Sequence, residues 1–327
     1  MKVEGGELVK VLWRSGLGAD DVAGAPWPDG VTIEVDRDAA AADGAAILVD
    51  GDPPAELLEA PSLRHVVVPY AGVRAGLRRR MADRPGLTLH NSHFNAPFVA
   101  QHAVALLLSL ADRLGRYDRA LRHGDWGPEN GPQSVHLAGR RALLLGFGAI
   151  GRATVPMLRG LGMEVEAVRR RPDPRDETVT QWGPGELHRA LGRADAVLLS
   201  LPSTPRTDGL LDEAAFAALR PGALIVNVGR GSVIDEEAAW SALDAGRIAG
   251  LGLDVWWRYP DGPEQRSTTL PSRRPFHLHP DVVLSPHRAN AVVGWTQASV
   301  RDVLATIDAI VSGRDPERNR VDVGEGY

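Results

Sequence analysis

The chain has 327 residues, 43% of them hydrophobic and 24% charged, which is the balance of a globular protein and more chain than one core usually supports. A net charge of −5 leaves no basic face for a phosphate backbone or an anionic membrane, and the absence of cysteine excludes disulfides, thiolate metal sites and cysteine nucleophiles. Residues 1–6 are polar and no run approaches the roughly 18 apolar residues of a membrane span, so a cytoplasmic protein with no membrane partner, nucleic acid or metal is expected. Two domains with a cleft for small ligands follow from the length. Lys2 and Lys10 are the only lysines, which leaves the cationic chemistry to arginine.

In chain order, short apolar runs at residues 8–13, 31–35, 45–49, 66–69 and 87–89 predict strands, alternating with helical composition at 54–60 and 73–82. That alternation reads as a small parallel α/β domain. Residues 98–122 predict one long helix after the boundary at Pro97, carrying the chain into a second domain. A polar stretch with Gly and Pro follows at 123–135. Strands are then predicted at 141–145, 165–168, 196–199, 223–228, 248–255 and 282–285, with helices from Ile150, near 185–191 and from Glu236. These make a second doubly wound, mostly parallel sheet. A last helix over 296–311 is placed to end at Gly313.

The segment Leu143-Leu144-Leu145-Gly146-Phe147-Gly148-Ala149-Ile150-Gly151 is an apolar strand running into a G-x-G-x-x-G turn that opens a helix. Gly146 allows the tight turn, Gly148 lets backbone amides approach a diphosphate, and Gly151 permits close helix–strand packing. The unsatisfied N–H groups and dipole of the helix that Ala149 and Ile150 begin favour the same anion. A purely structural turn uses the same glycines. The next strand ends at Arg169, Arg170 and Arg171, with no carboxylate at the place that meets the adenosine ribose. Arginine there pairs with the 2′-phosphate of NADP(H), the preferred cofactor. NAD(H) is the alternative, with Asp173 as ribose ligand and the arginine run a solvated turn.

Three later segments occur in order: Val226-Asn227-Val228-Gly229-Arg230-Gly231-Ser232-Val233-Ile234-Asp235-Glu236, Gly252-Leu253-Asp254-Val255 and Ser285-Pro286-His287. With the glycine turn they resemble the D-isomer-specific 2-hydroxyacid dehydrogenases, the group that includes glyoxylate/hydroxypyruvate reductases and formate and phosphite dehydrogenases. The resemblance implies a flavodoxin-like substrate domain, residues 1–100 plus 288–327, into which a Rossmann dinucleotide domain, 101–287, is inserted. It implies hydride transfer between NADP(H) or NAD(H) and a small 2-oxo or 2-hydroxy acid, in a homodimer. Arg230, just beyond a strand end, has the planar fork to grip a carboxylate. His287 is suited to exchange a proton with the carbonyl oxygen. By resemblance Tyr70, Ala71 and Gly72 hold the substrate carboxylate, Leu201 and Pro202 pack on the cofactor with Val228, Thr207 lies near the phosphates, and Asp254 bonds the nicotinamide carboxamide.

The pattern breaks at three places. Tyr259 stands five positions after Asp254, where most of the family has a glutamate paired with the histidine. A phenol orients the ring but supplies less charge, so His287 is expected to titrate lower than in the parent group. Gln101 replaces another usual glutamate. The segment between Tyr259 and His287 is longer than in the family and carries Arg273 and Arg274, which read either as contacts to a second anionic group or as a solvated basic loop. Two other functions stay open: a dinucleotide-binding regulator with little turnover, favoured by Tyr259, and oxidation of a small oxyanion, with which a neutral partner for His287 is compatible.

Overall fold

The computed structural model describes residues 8–16, 19–38, 42–126 and 131–324; the polar start at 1–6 lies outside them. The chain divides into two compact units, Met1–Asn95 with Val292–Tyr327, and Ala96–Ala291. No helix among the described residues is long and apolar enough to cross a membrane.

In the first unit β1 (Val9–Trp13), β2 (Val31–Val35), β3 (Ile47–Val49), β4 (His65–Val67) and β5 (Thr88–His90) form a wholly parallel sheet in the order β2-β1-β3-β4-β5. This is the flavodoxin-like order. Val-Lys-Val-Leu-Trp in β1 is almost continuously buried because both faces are covered, whereas edge strand β2 alternates. Helix Trp295–Ser312 supplies one cover: Val300, Val303, Leu304, Ile307 and Ile310 recur at helical spacing and pack with Val11, Trp13 and Ile47. Gly313, at φ 67°, ends it in the left-handed conformation expected there.

The chain is long enough for two cores, and the second unit also has two apolar layers. Its strands β6 (Arg141–Leu145), β7 (Glu164–Val168), β8 (Thr180–Trp182), β9 (Ala196–Leu199), β10 (Ala223–Asn227), β11 (Ile248–Leu253) and β12 (Val282–Leu284) are all parallel, in the order β12-β11-β10-β9-β6-β7-β8. The order reverses between β6 and β9, which opens a crevice at the carboxyl ends of those strands. β8 and helix Glu213–Ala218 were not legible: one is a three-residue edge strand, Thr-Gln-Trp, too short to show a period, the other a six-residue helix started by Asp212, whose carboxylate accepts from the Ala215 N–H.

The single long helix predicted over 98–122 is corrected to two, Ala96–Ala111 and Leu114–Leu121. Arg113 between them has φ 54°, and its guanidinium reaches Asp281 Oδ1 at 2.8 Å and the Gln133 carbonyl at 3.1 Å. A tertiary ion pair thus outweighs the local helical preference.

In the first unit His65 Nδ1 meets Thr88 Oγ1 at 2.7 Å, Thr88 Oγ1 meets His90 Nε2 at 2.8 Å, and His90 Nδ1 meets the Arg318 carbonyl at 2.9 Å. Burial first, then the neighbouring His90, pushes His65 down from 6.5 to about 4. The unfolded chain therefore binds the proton more tightly. Stability is fully present above the unfolded value and is lost as pH falls from 6.5 towards 4, by about 2 kcal/mol at a pH of about 4.5. Calorimetry across this window should show the loss in the wild type and a shallower one in His65→Asn; identical slopes would remove His65 as the cause.

Candidate active site

The turn after β6 is shaped by its glycines. Gly146 has φ 102°, and a side chain on Gly151 would collide with the Gly146 carbonyl, so the first turn of helix Ala149–Gly160 lies directly on the turn. Gly148 is exposed, and a Cβ there would meet nothing within 4 Å. No side chain at Gly148 stands in the way of an incoming diphosphate, and the N–H groups of the helix's first turn lack intrahelical acceptors. Ala149 and Ile150 are its first residues. Leu201, after β9, approaches both Gly146 and the backbone of Gly229, while Val228 is buried and donates to the Leu199 carbonyl at 3.0 Å. Thr207 Oγ donates to the Pro202 carbonyl at 2.6 Å and accepts from the Thr204 N–H at 2.9 Å, closing the 201–207 loop on itself. At the end of β7, Arg169 is half-buried, 3.4 Å from Gln181 Oε1 and 3.7 Å from Asp176 Oδ2, and Arg170 follows it. Asp173 is occupied by the N–H and guanidinium of Arg175, at 3.0 and 3.3 Å.

The loops after β10, β11 and β12 bring the second group together. Arg230 is exposed and extended, between Gly229, packed on Leu201, and Gly231, packed on the Trp256 backbone. Both flanking glycines are required by close backbone approach, so Arg230 does not sit in a free surface turn. Its guanidinium has no carboxylate partner among the described residues and bonds only the Gly229 carbonyl, at 2.7 Å. His287 Nδ1 lies 3.1 Å from the Tyr259 hydroxyl, which also accepts from the Trp256 N–H at 3.2 Å. The phenol proton is then free for Nδ1, which leaves the second proton position of the neutral ring on Nε2.

His287 has φ 55°, uncommon for a residue with a side chain, and the surroundings hold it there. Asp254, 1% exposed, accepts from Ser285 Oγ at 2.5 Å, from the Arg288 N–H at 2.8 Å and from the Ala289 N–H at 3.1 Å. Trp256 Nε1 donates to the Ser285 carbonyl at 2.8 Å. His102 Nε2 is 2.9 Å from Ser285 Oγ; because that hydroxyl gives its proton to Asp254, His102 is the donor. Partial burial lowers the His287 pKa, Asp254 raises it and the Arg230 charge lowers it, with a net downward shift. Burial raises that of the Tyr259 phenol. None of the Asp254, His102 and Trp256 clamp was read from the sequence beyond their presence in motifs, because its partners are distant in the chain.

A cavity of about 730 Å³ opens beside Tyr259 and His287. Arg273 and Arg274 do not line it: the Arg273 N–H donates to Glu236 and the Arg274 guanidinium pairs with Glu237, tying the long segment to helix Glu236–Asp244. Tyr70, Ala71 and Gly72 belong to the other unit. There the Asn91 amide donates to the Ala71 carbonyl at 2.9 Å, and the Tyr70 ring covers Gly51.

A family model for the "D-isomer specific 2-hydroxyacid dehydrogenase, NAD binding domain" matches residues 104–289. A glyoxylate reductase of Thermococcus onnurineus is 30% identical over 275 residues, 80% of this chain and 78% of that protein. The match to chloroplastic D-3-phosphoglycerate dehydrogenase 3 of Arabidopsis thaliana is 33% identical over 204 residues, 59% of this chain; the chain spans about a third of that relative, 31%. The crystal structure of a D-isomer specific 2-hydroxyacid dehydrogenase from Xanthobacter autotrophicus Py2, in complex with NADPH and MES, has a TM-score of 0.78 and 25% identity, covering 98% of this chain and 100% of that one.

Gly231→Ala should cost at least about 2 kcal/mol in chemical denaturation, since the new methyl meets backbone that has no rotamer to yield. Gly148→Ala, facing open space, should change stability by less than about 0.5 kcal/mol. Equal losses in the two variants would contradict this packing.

Proposed function

The chain belongs to the D-isomer-specific 2-hydroxyacid dehydrogenase family, and on that premise we propose that it is an NADPH-preferring reductase of small 2-oxo acids, also able to oxidise the 2-hydroxy acid. The observation that carries this reading is the Tyr259–His287 hydrogen bond at the carboxyl edge of the sheet, with the Arg230 charge among the causes that lower the His287 pKa. The backbone amides at Gly148, Ala149 and Ile150, with Gly146 and Gly151 shaping the turn, fit a dinucleotide diphosphate. Arg169 and Arg170 are the groups for a 2′-phosphate; Asp173, the alternative ribose ligand, is engaged by Arg175. Leu201, Pro202, Thr207 and Val228 flank the dinucleotide in this reading. NADPH and NADP are the cofactors named for solved relatives.

When bound, the nicotinamide supplies the hydride that the carbonyl carbon receives. Arg230 grips the carboxylate and draws charge towards the adjacent carbonyl oxygen. His287 gives its Nε2 proton to that oxygen in reduction and takes it back in oxidation. Through the proton transfer Tyr259 accepts from Nδ1–H, both of the imidazolium and of the Nδ1–H imidazole left when Nε2 has given its proton; that tautomer has the bare Nε2 that oxidation requires. Asp254, which accepts twice at Oδ1 and once at Oδ2 from the loop, is assigned to positioning His287, and its remaining acceptor position to the nicotinamide carboxamide. The backbone amides of Tyr70, Ala71 and Gly72 are assigned to a substrate carboxylate, as the family resemblance implies. A cytoplasmic homodimer goes with this reading; Leu114 and Leu121, exposed to 57 and 48% on one helix and lining one surface depression, support an assembly.

Oxidation of NADPH followed with a panel of 2-oxo acids should show turnover, falling at least about a hundredfold in kcat/KM in Arg230→Ala. Tight NADPH binding without turnover of any acid would replace the enzyme reading by that of a regulator. Reduction should need protonated His287, so its rate falls as pH rises through a pKa below 6.5. Tyr259→Glu places a carboxylate against the ring and should move that falling limb up by about one pH unit. A limb that stays or moves down would exclude the Tyr259–His287 pair from the proton step.

A further inference from the structure

The cavity of about 730 Å³ shares Trp256, Tyr259 and His287 with the proposed proton-transfer site. Its size falls within the roughly 300–1,000 Å³ that holds ligands well beyond a two- or three-carbon acid. Three arginines, Arg258, Arg266 and Arg288, stand in its wall, and no aspartate or glutamate does. Asp261 and Glu264, on the same segment as Arg266, are outside the lining. No side-chain hydrogen bond or ion pair engages these three guanidiniums among the described residues, whereas Arg113, Arg141, Arg152 and Arg274 of the same unit are each paired with a carboxylate.

The wall is a fixed one. The Arg258 N–H donates to the Pro271 carbonyl at 3.0 Å, Trp257 Nε1 donates to the Ile234 carbonyl at 2.7 Å, and Trp257 stacks on Phe276 with centroids 5.2 Å apart. The Arg274–Glu237 pair anchors the far end of the segment. Arg288 is set by the donation of its own N–H to Asp254. Three cations without a carboxylate partner on one anchored wall give the cavity a positive potential that favours an entering anion.

We propose that this cavity is a second anion subsite, and that the 2-oxo acid this protein reduces carries a carboxylate or phosphate at the end remote from its oxo acid group, received by Arg258, Arg266 and Arg288. This rests on the reductase reading and names its substrate class. Reduction of 2-oxopentanedioate, which has the second carboxylate, should exceed that of the chain-matched 2-oxopentanoate, whose remote end is neutral, by about tenfold or more in kcat/KM. The excess should shrink with added salt, and Arg266→Ala and Arg258→Gln should each bring the ratio down towards one. 3-Phosphonooxy-2-oxopropanoate in the same assay tells a phosphate preference from a carboxylate one; preference for either over the neutral acid supports the subsite. Equal rates for charged and neutral acids, or a preference that survives both arginine variants, would overturn it. If no 2-oxo acid is turned over, the reductase reading fails by itself, and titration calorimetry of pentanedioate against pentanoate still tests the cavity: tighter dianion binding lost in Arg266→Ala supports it, and equal binding overturns it.

Discussion

Asp254 stands where β11 ends, 1% exposed, and its two oxygens collect the hydroxyl proton of Ser285 and the N–H groups of Arg288 and Ala289. A carboxylate withdrawn from water is costly unless such donors surround it, and charge-assisted bonds to backbone N–H groups are among the stronger ones available. The donors come from one short loop, so satisfying the buried charge and shaping the loop are the same event. His287 lies inside that loop, and its left-handed backbone conformation is sustained from both sides: Asp254 after it, and Trp256 through the Ser285 carbonyl before it.

The same logic extends to the sheet edge. The turns after β6, β9 and β10 touch one another through Gly146, Leu201 and Gly229, and the next loop meets Gly231 through Trp256. Asp208 links the outer parts of these loops by accepting from Ser203 and Ser232. Small residues at these contacts let backbones approach where side chains would hold them apart. A group of chemically capable side chains is thereby carried on backbone that supports itself, which is what a preorganised site requires.

Arginine divides into two populations in this unit. Those that join elements have acidic or carbonyl partners, as Arg113 does in breaking the long helix and Arg274 in fastening the extra segment. Those near His287, Arg230 included, face space without a carboxylate among the described residues. The contrast separates stabilising cations from cations left available to a ligand, a distinction that residue type alone does not carry.

The strands of both sheets other than β8, the glycine turn and the end of the last helix at Gly313 were legible in the sequence, because apolar runs and left-handed glycines are local signals. So was the family, through motifs short enough to survive at 30% identity. The break at Arg113, strand β8, the clamp on His287 and the arginines that wall the cavity were not. Each depends on a partner far away in the chain: Asp281 for Arg113, β7 for β8, Asp254 for the histidine loop, and for Arg266 the absence of any acidic partner among the described residues. Arg273 and Arg274 show the difference most plainly: the sequence presents them as two more cations on a basic loop, and only folding, by placing Glu236 and Glu237 against them, decides that they fasten the loop while Arg266 faces the cavity.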